Sequence, residues 1–278
     1  MKKYVWLLLL ATLAASLMAF AACSDDDDED EDGGGDTSPT PNAEEIAAIE
    51  QLVTDLVEGD PTQQADVDFF FERVTDDLLE SFFQTTREEC MANAEECIGE
   101  PGVVESVGST TVSGGEASTD VTADFGNYTF VLVLDGEVWK VDQLNAISPE
   151  VPAGVTAVDL QLNEFAFGFN RSDIEDGNFA FAAENIGEQN HQVIVVGIDE
   201  GVVLDDALQY EGDGDIPGLS EVAFTGPILP GEEYNVVFEE PLGPGRYALL
   251  CFFPDTDDPE ETPHVFKGMK AEFEVPVE

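Results

Sequence analysis

From Ala43 onward the apolar positions fall at helical spacing: Ile46, Ile49, Leu52, Val53, Leu56 and Val57 recur every three or four residues and form one stripe for burial. A second helical stretch follows, in which Val67, Phe69, Phe70, Phe71, Val74, Leu78, Leu79, Phe82 and Phe83 are too dense for a helix with a broad wet face, so it is expected between the first helix and a sheet. From Val103 the period drops to two. VVESV, STTVS, EASTDVTADF and YTFVLVL read as strands, with Gly114-Gly115 and Asp135-Gly136 as hairpin turns. Helices followed by antiparallel strands predict an α+β unit over residues 43–147. From Thr156 strand patterns dominate: AVDLQLNEF, NFAFAAEN, HQVIVVGI, EVAFTG, EYNVVFEE, RYALLCFF and MKAEFEV, separated by Gly, Pro and Asp turns. About seven short strands over residues 153–278 predict an all-β Greek-key sandwich.

The segment before Ala43 follows neither period. Lys2 and Lys3, an apolar run and small residues ahead of Cys23 have the layout of an export signal over residues 1–22. After it, SDDDDEDEDGGGDTSPTPN repels itself and has no apolar surface to bury, so residues 23–42 are expected to form an extended acidic tether. Phe20-Ala21-Ala22-Cys23 resembles the lipobox of bacterial lipoproteins, with Phe20 where Leu is usual. The resemblance implies that Cys23 is lipidated and anchors the chain to the extracytoplasmic face of the cell membrane, several acyl chains giving the hold that one does not. A plain secretory signal cut near Ala22 and an uncleaved helix are the alternatives.

Charge then removes one class of partner. The chain carries 61 acidic and nine basic residues, a formal net charge of −52. Beyond Lys3 the basic residues Arg73, Arg87, Lys140, Arg171, Arg246, Lys267 and Lys270 are scattered, so no patch exists to hold nucleic acid. The two histidines, His191 and His264, exclude any mechanism built on a His-rich site. In an oxidising compartment Cys90 and Cys97 read as a structural disulfide. A continuous helix would hold their Cα atoms about 10.5 Å apart, at ~1.5 Å per residue, beyond the ~7 Å limit for a bridge, so a turn is expected between them.

Two further resemblances involve longer stretches. Helices followed by a meander ending in LDGEVWKVDQL, with Trp139 to Asp142 at its last hairpin, resemble the cone-shaped α+β fold of the nuclear transport factor 2-like superfamily. Enzymes of that superfamily often use a His inside the cone, and residues 43–147 contain none. In the second half, Asn185-Ile186-Gly187 ahead of Asn190-His191, Leu229-Pro230-Gly231-Glu232, Pro244-Gly245-Arg246-Tyr247 leading to Cys251, then His264 and Gly268-Met269, resemble the cupredoxins, the plastocyanin- and azurin-like blue-copper family. The resemblance implies one type 1 copper centre with His191, Cys251 and His264 as trigonal ligands and Met269 as a weak axial one. Two imidazoles and a thiolate suit both Cu(I) and Cu(II), and a long thioether contact tunes the potential without imposing square-planar geometry.

Each residue also has an ordinary reading: His191 as a satisfied strand-end residue, Cys251 as a small buried hydrophobe, and Met269 as core. Twelve residues separate Cys251 from His264, more than compact cupredoxins carry. Closing the longer loop costs on the order of 1 kcal/mol, so length alone does not remove the site, but the insert FFPDTDDPEETP is placed to cap His264. The function expected is single-electron transfer by a membrane-anchored blue-copper protein, with a redox partner of unknown identity and no catalysis. A copper carrier and a metal-free envelope binding lipoprotein are the other readings.

Overall fold

The computed structural model describes residues 43–210, 212 and 215–277. The export signal, Cys23 and the acidic tether lie outside the described residues. Within them, no helix is long and apolar enough to cross a membrane.

The first half consists of five helices followed by four strands. Helix α1 (Ala43–Glu58) buries Ile49, Leu52 and Val53, the middle of its predicted stripe. The second stretch is two helices, α2 (Gln64–Arg73) and α3 (Asp76–Ser81), rather than one. Thr75 breaks it by capping the Leu78 amide with its hydroxyl, the usual use of Thr at a helix start. Its neighbour Val74 forms a parallel bridge to Val141. Arg87 satisfies carbonyls exposed near this break, donating to Phe71 O at 2.7 Å and Val74 O at 2.8 Å. Two short helices, α4 (Arg87–Ala92) and α5 (Ala94–Ile98), meet at Asn93. That corner supplies the expected turn: Cys90 and Cys97 are disulfide-bonded with Cα atoms 5.3 Å apart.

Strands β1 (Val104–Ser113), β2 (Glu116–Ala123), β3 (Gly126–Asp135) and β4 (Val138–Ala146) form an antiparallel meander in sequence order. VVESV and STTVS are thus one irregular strand, with register shifts between Val104 and Ser106 and between Val107 and Thr110. Alternate residues of β2 and β3 (Ala117, Val121, Tyr128, Phe130 and Leu132) share one cluster with Ile49, Val53, Phe70, Leu78 and Leu79 of the helices. The helices therefore cover one face of the sheet.

The second half is a two-sheet sandwich of eight strands among the described residues. One sheet orders β10 (Glu233–Val236), β7 (Phe179–Asn185), β5 (Thr156–Asn163) and β6 (Ala166–Gly168). The other orders β12 (Lys270–Val275), β11 (Gly245–Leu250), β8 (Ile194–Ile198) and β9 (Leu219–Phe224). Pairing is antiparallel apart from β5 with β7. Val158, Leu160, Leu162 and Phe181 of one sheet meet Val195, Leu249 and Phe273 of the other in a single cluster that also contains Cys251 and Met269. The outer face of the second sheet is covered by Leu204 of α6 (Leu204–Ala207), Leu208 and Val265 of α7 (His264–Lys267).

The expected strand HQVIVVGI is shorter in the structure. Pairing begins only at Ile194, and His191 precedes it in an isolated bridge with Ile228. Strand β6 and helices α6 and α7 carry too few residues for either periodicity to show.

Candidate metal centre

His191, Cys251 and His264 come from three separate segments at one end of the sandwich. All three are fully buried. Their nearest ligand atoms lie within 4.8 Å of one another. The Nδ1 atoms of the two histidines are 3.2 Å apart, and Cys251 Sγ is 3.5 Å from His264 Nδ1.

The His191 segment is set by Asn185. Its Oδ1 accepts from Gly187 N at 2.9 Å, and its Nδ2 donates to Gln189 O at 2.8 Å and Ile228 O at 2.7 Å. This explains Asn-Ile-Gly in the sequence, since an Asx turn needs the amide oxygen and Gly187 has no room for a side chain. A Cβ there would sit 2.3 Å from Glu164 Oε1 and 2.9 Å from His191 Nε2. His191 and Ile228 exchange backbone hydrogen bonds in both directions, fixing the ligand's main chain.

Cys251 follows directly on β11, and the insert that separates it from His264 closes on itself. His264 N donates to Phe253 O at 2.8 Å, Val265 N to Cys251 O at 2.7 Å, and Pro254 bridges Pro263. The intervening residues form a pinched-off loop, so the extra length does not separate the ligands. The loop meets His264 through its backbone and through Gln189, whose oxygen lies within hydrogen-bond reach of both Thr256 N and His264 Nε2. Met269 belongs to the same buried cluster, with its amide donating to His264 O at 2.9 Å and its carbonyl accepting from Cys251 N at 3.3 Å.

A chain of polar side chains behind His264 determines its tautomer. Asp255 Oδ1 can only accept, so the Gln189 group 2.8 Å away is the amide NH₂. The Gln189 oxygen then accepts from Thr256 N at 3.0 Å and lies 3.2 Å from His264 Nε2. His264 must therefore carry its proton on Nε2, which leaves Nδ1 a bare lone pair facing His191 and Cys251. On the other ring Glu164 Oε1 lies 3.6 Å from His191 Nε2, beyond hydrogen-bond distance, so that buried nitrogen has no hydrogen-bond partner among the described residues, and the carboxylate accepts instead from Glu188 N at 2.5 Å and Gln189 N at 3.1 Å. Burial raises the Glu164 pKa, but these amides and its own outweigh that and hold it below the usual carboxylate range. Lys267 closes the network by pairing with Asp255 and with Asp258. Phe165, at a left-handed φ of 60°, sets its ring edge-on to His264 with centroids 5.1 Å apart.

Burial keeps the metal-free site uncharged. It lowers the His264 pKa to about 4, helped by repulsion from His191, and lowers that of His191 as well, against the pull of Glu164. It raises the Cys251 thiol to about 12, despite the amides of Gln192 and Phe253.

At 3.2 Å the two Nδ1 atoms are close enough for His191 Nδ1–H to donate to the bare His264 Nδ1 in the metal-free chain, or for a cation replacing that proton to lie between them. Donors sharing one ion at about 2.0–2.3 Å stand roughly 3.2–3.7 Å apart, a range that includes the 3.2 Å and 3.5 Å separations from His264 Nδ1, with the three donors together within 4.8 Å. The residues thus fit a metal, and the imidazole, thiol and nearby thioether donors fit a soft, copper-like one. Of the four predicted ligands, the structure brings the donor atoms of three together and places the backbone of Met269 beside them. Gln189, Glu164, Asp255 and Lys267 had no signal in the sequence: Gln189 meets Asp255 and His264 across separations of 66 and 75 residues.

No family model matches the sequence, and no curated protein matches it. Among solved structures, Na-dithionite reduced auracyanin from the photosynthetic bacterium Roseiflexus castenholzii is similar over 45% of this chain and 100% of its own, at 23% identity and a TM-score of 0.29. A multicopper oxidase from the hyperthermophile Aquifex aeolicus is similar over 59% of this chain and 42% of its own, at 12% identity and a TM-score of 0.24. What the fold and site themselves define is a β-sandwich with a buried His-Cys-His group at one end.

Proposed function

We propose that this chain is a type 1 blue-copper protein that transfers single electrons. The observation that carries the reading is the convergence of two imidazole nitrogens and one thiol in a buried pocket. His191, His264 and Cys251 would hold the ion, with Met269 as the axial thioether. Copper would supply a one-electron couple. The protein's part is to hold the donors in one arrangement: Gln189 fixes the His264 ring, Glu164 faces the far nitrogen of His191, and the sandwich core keeps solvent from the thiol. Such partners behind the ligands are what tune metal sites of this type. The encapsulation favours electron transfer over copper delivery, because a carrier needs its ion accessible for exchange.

The cellular setting is part of the same proposal. An oxidising compartment is supported by the Cys90–Cys97 disulfide, and the signal with Cys23 would place the chain on the outer face of the cell membrane through lipid. The first half is read as a nuclear transport factor 2-like domain on the strength of helices packed over a four-strand meander, with a binding or spacer role.

Reconstitution tests the core claim. Protein loaded with Cu(II) is expected to bind one ion and show an intense visible thiolate-to-copper absorption. Cys251→Ser should abolish that band while leaving the far-ultraviolet circular dichroism unchanged, because a hydroxyl is nearly isosteric but a poor soft ligand. A colourless wild type, or colour retained in the variant, would remove the reading.

A further inference from the structure

The two halves of the chain meet at the loop that carries His191. Asn190, next to that ligand, is 2% exposed. Its side-chain amide donates to Ser81 O at 2.8 Å and to Phe82 O at 3.2 Å. These carbonyls stand where α3 ends, and a helix end leaves acceptors without partners of its own. The adjoining contacts run the same way. Phe82 meets Tyr128 of β3 edge-on at 6.0 Å. The Tyr128 hydroxyl lies so close to Gly226 that a Cβ on that glycine would be 1.8 Å from it. Gly226 is two residues from Ile228, whose backbone pairs with that of His191 in both directions. Both sides of the seam therefore bear on the main chain that presents one candidate ligand.

We propose that Asn190 is a positioning residue that couples the metal centre to the first domain, so that an ion bound at His191 stabilises α3 and the meander as well as the sandwich. The inference rests on the copper reading. It accounts for a domain with no histidine being joined to an electron-transfer module: the first domain holds one side of the ligand loop. Coupling of this kind is reciprocal. If copper tightens the seam, an intact seam tightens copper by the same factor.

The chain has two tryptophans, Trp6 and Trp139. In the full chain carrying Trp6→Phe, Trp139 of β4 is the sole indole, and its fluorescence reports unfolding of the first domain. Dialysis against Cu(II) establishes binding first. Copper is then expected to raise the Trp139 midpoint by several degrees through linkage and to slow amide hydrogen exchange in residues 76–83. Asn190→Ala should keep bound copper and its visible band but lose both effects at the first domain. A merely structural asparagine would lower the metal-free and copper-loaded midpoints together and leave their difference intact, which overturns the proposal. Absence of bound copper overturns the copper reading and this inference together. Bound copper with residues 76–83 exchanging unchanged in the unmodified chain overturns the coupling alone, and this measurement decides the matter even where the variant does not fold.

Discussion

Acidification should weaken the metal-free chain through His264 before most carboxylates titrate. In the unfolded chain this histidine takes up a proton near its ordinary pKa of 6.5, but in the fold only near pH 4, chiefly because burial penalises the charged ring. Between those values the unfolded state binds more protons than the native one, so stability rises with pH. The His264 contribution is fully present above pH 6.5 and is lost progressively as pH falls to about 4. At ~1.4 kcal/mol for each tenfold change in proton affinity, the difference between 6.5 and about 4 amounts to about 3 kcal/mol. That is a large share of the roughly 5–15 kcal/mol typical of a domain. His191, lowered in the same direction by burial, adds to it.

The assay is urea unfolding of the metal-free protein, with a chelator present, from about pH 7.5 to about pH 4.5, followed by far-ultraviolet circular dichroism. The same series on His264→Gln supplies the reference, because the many carboxylates and the reduced self-repulsion at low pH are common to both proteins. Stability of the wild type should fall relative to the variant by up to ~1.4 kcal/mol per pH unit inside the window. Parallel profiles for the two proteins would show that burial of His264 does not govern its protonation, and the tautomer argument would fall with it.

Replacing Cys90 and Cys97 together by Ala opens a loop of sequence separation 7 and should cost about 2–3 kcal/mol, measured by Trp139 fluorescence in urea. An unchanged midpoint would mean that the bridge constrains nothing. Lys267→Met leaves Asp255, a carboxylate only 4% exposed, without its cation. Stability should drop and proteolysis within residues 252–263 should quicken, whereas an unchanged cleavage rate would show that the salt bridges do not latch the insert. Gln189→Leu removes the acceptor at His264 Nε2, so nitrogen NMR of the metal-free variant should show the ring losing its single tautomer. The same Nε2–H signature in both proteins would place control of the proton elsewhere.

Much of the architecture was legible because burial imposes a period. Three- and four-residue spacing marked α1, alternation marked β2, β3, β5 and β7, and Gly114-Gly115 marked the first hairpin. The break between α2 and α3 was missed although Thr75 ahead of Asp76-Asp77 is a helix-start signal, and the bridge from Val74 to Val141, far along the chain, could not be read from the sequence. Asn185, His191, Cys251, His264 and Met269 stood out by residue type, because histidine and cysteine are scarce here and each sat in a recognisable local motif.

By itself, then, the sequence determined the two-part order of helices, meander and sandwich, and named the side chains that converge at the sandwich end. These properties depend on near neighbours and composition. The tertiary structure alone decided which His264 nitrogen is bare, that the twelve-residue insert closes on itself instead of separating the ligands, and that Asn190 reaches Ser81 and Phe82. The first and the last rest on hydrogen bonds across separations of 75 and 109 residues, and the closure of the insert on backbone pairs of His264 with Phe253 and of Val265 with Cys251. Each depends on particular donors and acceptors meeting in space, and no local periodicity records such a contact.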